Sequence, residues 1–110
     1  MKRILLLLLL ATATNFSLAD TTTINQKHKA FVVNGQPSNG GQITVNVGDT
    51  VRFVNDDEFF HNVFSLSDAK LFDLGSFPKG DHRDVEFDTA GSVEVECALH
   101  PEMFITIIVE

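Results

Sequence analysis

The chain has 110 residues, with one cysteine, no tryptophan and no tyrosine. A single cysteine excludes an internal disulfide framework and any zinc site built from several thiolates. Without Tyr or Trp, aromatic bulk falls to ten phenylalanines, which are expected to fill the core. Positive charge is also scarce. Eight Lys and Arg stand against fifteen Asp and Glu, a formal net charge of −7. That balance excludes a nucleic-acid partner, which needs a basic face. No internal repeat, low-complexity segment, interdomain linker or Met- or His-rich tract is visible. What is present, 44% hydrophobic and 21% charged residues, is the composition of one globular domain.

The one long apolar run is N-terminal. Met1-Lys2-Arg3 is a short basic start, residues 4–10 are uniformly apolar, and Ser17 and Ala19 supply small residues before Asp20. This is the three-part layout of a secretory signal peptide cleaved between Ala19 and Asp20. The run is shorter than the ~18 to 20 residues that a membrane span needs. Residues 1–19 are therefore expected to be a signal peptide and residues 20–110 the mature domain, with no membrane anchor. Losing Lys2 and Arg3 leaves six basic against fifteen acidic residues, −9 over 91 residues. A domain this small often needs a staple. Disulfides are excluded, so a metal becomes the leading candidate.

From residue 30 onward the hydrophobic period is two. The runs 42–47, 50–55, 83–88, 92–97 and 105–109 alternate or are β-branched, and Gly-, Asn- and Asp-containing turns separate them. Short strands at this spacing predict an all-β sandwich. Residues 67–77 fit either a short helix or an irregular strand. Residues 20–28 are polar and are expected to be partly loose. Parity places Cys97 with Val93 and Val95, and Met103 with Ile105, Ile107 and Val109, so both sulfurs lean inward from opposite ends of one loop.

That loop reads Cys97-Ala98-Leu99-His100-Pro101-Glu102-Met103, and His61-Asn62 lies upstream. Singly, each residue has an ordinary explanation. A strand cysteine packs as a small hydrophobe and a methionine fills a core. Jointly they supply a thiolate, two imidazoles and a thioether, the donor set of a blue-copper electron-transfer site. A lone exported thiol also oxidises unless it is buried or ligated. Pro101 restricts His100 and stiffens the loop. His28 and His82 sit among polar residues and are expected at the surface.

The segments 47–55, His61-Asn62-Val63, Ala90-Gly91 through Cys97, the C-x-x-H-P-x-M loop and the last strand together resemble the cupredoxins, especially amicyanin and plastocyanin-like proteins. The short interval between His100 and Met103 is similar to that of amicyanin. The resemblance implies a Greek-key β-sandwich holding one type 1 copper ion, with His61, Cys97, His100 and Met103 as ligands. It implies that Asn62 braces the ligand loop and that electrons leave through a partly exposed His100 ringed by Leu99 and Pro101. Two departures are the Phe59-Phe60 pair before His61 and the acidic run Asp56-Asp57-Glu58 beside it.

The leading expectation is a monomeric periplasmic electron carrier, not an enzyme, cycling Cu(I) and Cu(II). Its partner would be a c-type cytochrome, dehydrogenase or oxidase with a basic docking face. Copper delivery without a redox circuit is the alternative. A thiol enzyme built on Cys97 and a histidine ranks last, because it leaves Met103 unexplained.

Overall fold

A computed structural model describes residues 18–110. The proposed signal peptide lies almost wholly outside the described residues. Ten strands form two five-stranded sheets, with no helix among the described residues. The first sheet runs β3-β2-β1-β5-β8, from β1 (Thr21–Lys27), β2 (Ala30–Val33), β3 (Gln36–Pro37), β5 (Thr50–Asn55) and β8 (His82–Glu86). The second runs β4-β10-β9-β6-β7, from β4 (Gln42–Val45), β6 (His61–Ser65), β7 (Phe72–Phe77), β9 (Gly91–Glu96) and β10 (Phe104–Val109). β1 pairs with β5 and β4 with β10 in parallel, and the remaining pairs are antiparallel. The architecture is the expected all-β Greek-key sandwich.

Alternation does what the sequence predicts. Val93, Val95 and Cys97 are buried with Met103, Ile105, Ile107 and Val109, while Glu94 and Glu96 face water. Phe31, Phe53, Phe77 and Phe87 are fully buried and supply the aromatic bulk between the sheets. Burying each such side chain contributes roughly 1.5–3 kcal/mol. His28 and His82 are exposed, as expected.

One expectation changes and one open alternative is decided for the irregular strand. Residues 20–28 are not loose: β1 is an interior strand between β2 and β5. Its polar appearance arises because only Ile24 and Gln26 are buried along it, and Gln26 is itself polar. Residues 67–77 hold no helix. A turn leads into β7, whose register against β6 shifts between Asn62 and Phe64. That turn packs closely on β9, where a Cβ added at Gly91 would lie 2.9 Å from the Ala69 methyl. Gly91 also has φ +149°, a region that favours glycine.

Candidate metal centre

Cys97 directly follows β9 and Met103 directly precedes β10, so the intervening loop caps a hairpin. Two consecutive turns build it. His100 N–H donates to the Cys97 carbonyl (3.2 Å), and Met103 N–H donates to the His100 carbonyl (2.9 Å). Pro101 occupies the second position of the second turn, where its fixed φ is favoured. Cys97 N–H closes the base on the Met103 carbonyl at 3.1 Å. His61 comes from the first position of β6, across the seam with β9.

The structure brings His61, Cys97 and His100 to one point. Cys97 Sγ lies 3.6 Å from His61 Nδ1 and 3.8 Å from His100 Nδ1, and the two nitrogens are 3.2 Å apart. A point in the plane of these three atoms sits ~2.1 Å from each, close to ordinary metal–nitrogen and metal–thiolate bond lengths. Two nitrogens and one sulfur facing a common centre thus fit a metal ion with little movement. Cys97, His61 and Met103 are fully buried, and His100 is half-buried.

Asn62 braces the loop as the resemblance implied: its Oδ1 accepts the Ala98 N–H at 2.7 Å. Phe59 lies against both imidazoles, 5.2 Å from the His61 ring and 5.1 Å from the His100 ring, with Lys29 Nζ 5.7 Å from its own centroid. Phe60 and Leu99 are exposed beside it.

Asp57 is the residue that sequence reasoning missed. It stands in the acidic run noted beside His61, and the structure separates the three residues. Asp56 accepts from the Asn25 side chain, and Glu58 pairs with Lys79 at the surface. Asp57 is buried, and its Oδ2 lies 2.6 Å from His61 Nε2. Its oxygens also accept the backbone N–H of His28 (2.7 Å) and Lys29 (3.2 Å). Those two residues form the β1–β2 turn with φ of 53° and 55°, the left-handed pair of a type I′ hairpin. Neither is the Asn or Gly that such a turn prefers, so the carboxylate compensates for the sequence. Asn55 in turn donates its side-chain N–H to the Phe59 and Phe77 carbonyls and accepts Asp57 N–H at 2.8 Å. The available signal was the four-residue spacing from Asp57 to His61, which means little without the turn packed beside it.

Two titrations are displaced. Burial pushes the Asp57 carboxyl up, but the hydrogen bond with His61 and those from His28 and Lys29 outweigh it and hold the group below the usual range. His100 is held below the ordinary 6.5, first by burial, then by His61 and Lys29, against weaker opposition from Glu102 and Asp57. In metal-free protein, NMR should therefore find the His100 ring titrating below the ordinary histidine value of 6.5. A midpoint at or above that value would contradict this.

A sandwich of this topology, closed at one end by a Cys and two His, defines a class: the chain has the cupredoxin fold. The solved structures that match it are particular members. It superposes on amicyanin from Paracoccus versutus with TM-score 0.69 and 24% identity, covering 86% of each chain. A Cu(I) form of an amicyanin variant matches with TM-score 0.70 and 21% identity, over 86% of this chain and 87% of that one. A Cu-containing nitrite reductase from Thermus scotoductus matches with TM-score 0.69 and 22% identity, over 82% of this chain but 22% of that longer one. No protein-family model matches the chain, and no curated protein sequence matches it.

Proposed function

We propose that the protein is a type 1 copper electron carrier of the periplasm, exported by the segment 1–19, with His61, Cys97, His100 and Met103 as ligands. The observation that carries this reading is the triangle of Sγ and two Nδ1 atoms at one pole of a cupredoxin fold. A copper ion bound there supplies a one-electron couple between Cu(I) and Cu(II). The donor set favours copper: thiolate and imidazole suit both oxidation states, and at such sites copper(II) binds more tightly than zinc.

The chain's own residues do the rest. Cys97 offers a soft, buried thiolate. Asp57 fixes the tautomer of His61, accepting from Nε2 so that Nδ1 is left to the metal. The double-turn loop and Asn62 hold His100 and Cys97 in one geometry, which keeps reorganisation between oxidation states small. His100, half-buried under Phe59 and flanked by exposed Leu99, provides the edge through which an electron leaves.

Adding Cu(II) to the purified apo-protein tests this reading. An intense visible band and a narrow-hyperfine EPR signal are expected, and a colourless complex would refute it. Met103→Leu should keep copper and raise the potential, because a weak donor that still favours Cu(II) is removed. Voltammetry showing a lowered potential would contradict the axial assignment.

The reading extends to partners. The mature net charge of −9 suits a redox protein with a basic docking face, met through a small transient interface. Stopped-flow association with such a partner should slow as salt is raised, and a salt-independent rate would remove the steering argument.

A further inference from the structure

A buried carboxylate at the pole opposite the metal centre lacks a counter-charge. Asp49, in the turn before β5, is 5% exposed, and none of the ion pairs among the described residues includes it. Its Oδ2 accepts Asn46 N–H at 2.8 Å, and its Oδ1 accepts the N–H of Asp20 at 3.0 Å. β5 separates this turn from Asn55 at the metal pole, a distance of ~20 Å for six extended residues.

Asp20 is also where the domain begins to be held. Its carbonyl accepts Thr50 N–H at 2.9 Å, and the parallel register with β5 starts one residue later at Thr21 and Thr50. Leu18, by contrast, is 85% exposed and belongs to no strand. The bond expected to be cut during export, Ala19–Asp20, therefore lies immediately before the first residue that the sandwich grips. Hydrolysis of that peptide bond consumes one water, leaves a carboxylate on Ala19 and frees the Asp20 nitrogen as an amine. The amine takes up a proton near neutral pH.

We propose that removal of the leader converts the Asp20–Asp49 hydrogen bond into an ion pair, so that processing supplies the missing charge and fastens β1 to the β4–β5 turn. The idea rests on the export reading given above. A buried acid is ordinarily paired, and before cleavage Asp49 receives two neutral N–H groups. Afterwards one donor is an ammonium, and a charge-assisted hydrogen bond is roughly twice as strong as a neutral one. Asp20 thus has a role fixed by its backbone nitrogen, which explains why the grip begins there.

The test compares copper-loaded chains of residues 20–110 carrying either a free or an acetylated α-amine. Acetylation keeps the N–H donor and removes only the charge. In urea denaturation the free-amine form should have a folding constant about five- to tenfold larger. Asp49→Asn should bring the two forms together. Equal stability in the unsubstituted protein, or a gap that survives Asp49→Asn, would overturn the ion pair. Should Asp49→Asn not fold, the acylation rate decides. The α-amine of the folded protein should react several-fold more slowly than that of a 20–28 peptide, and equal rates would also overturn it. N-terminal sequencing of the exported protein separately tests the cleavage point. A start at Asp20 is expected, and any other start defeats the proposal while leaving the copper reading untouched.

Discussion

Cys97→Ser should abolish the intense visible absorption of the Cu(II) form. The band of such a site requires a covalent thiolate–copper bond, and a serine hydroxyl is a hard donor with no comparable transition. The substitution changes one buried atom, and the backbone bond from Cys97 N–H to the Met103 carbonyl does not involve the side chain. The fold should therefore persist, with a far-UV spectrum like that of the parent. His61 and His100 would remain 3.2 Å apart at Nδ1, enough to hold Cu(II) weakly through nitrogen. The measurement is a copper titration followed by visible absorption and EPR. A retained strong band would mean that Cys97 is not a ligand.

The second large effect belongs to Asp57. Asp57→Asn keeps the size of the side chain but removes a charge 2.6 Å from His61 Nε2. An ionised acceptor makes the imidazole a stronger donor at its other nitrogen, which favours Cu(II) over Cu(I). Losing a partner of this kind typically costs 10–100-fold in metal affinity. If a tenfold share of that loss falls on Cu(II) alone, the potential rises by ~59 mV, the one-electron equivalent of a factor of ten. Asp57→Ala should do more. It leaves the fully buried Nε2 of His61 without a partner, at about 1–3 kcal/mol, and takes the acceptor from the part-buried N–H groups of His28 and Lys29. An unchanged potential in Asp57→Asn would show that the carboxylate only holds the turn.

The pH sign follows from the direction of the Asp57 shift. Its folded pKa lies below the unfolded value near 3.8, so the stability it contributes is complete above that value. It is lost as pH falls through the depressed folded value. Acid unfolding of Asp57→Asn should accordingly be less steep below pH ~4 than that of the parent protein.

The contrast between these two residues shows what was legible in the sequence. Cys97, His100 and Met103 lie within seven residues on one hairpin, so local spacing and strand parity expose them. His61 is carried by the adjacent Asn62 and Val63. Asp57 acts through a turn 28 and 29 residues earlier in the chain, and no periodicity reports that contact. β1 escaped for a related reason. It is rich in threonine and buries a glutamine, so its place as an interior strand depends on parallel pairing with β5. β7 is concealed by a register shift and by Gly75 at φ +70°, which break the alternation a strand would otherwise display. Side chains paired by distant segments are where alternation stops being informative.

The seam between β6 and β9 has a mechanical consequence. His61 opens β6 and Cys97 directly follows β9, 36 residues apart in sequence, whereas Cys97 and His100 are three apart. The registered pairs along the seam are Phe64 with Glu96 and Ser65 with Val95, supplemented by the Asn62–Ala98 bond. A short ladder of this kind leaves few backbone bonds to resist local opening. An ion gripped by His61 on one side and by Cys97 and His100 on the other acts as a clasp across that seam. Amide exchange at Ala98, whose N–H ties the loop after β9 to Asn62 on β6, should therefore slow on metal loading more than exchange along the interior of β9 and β10.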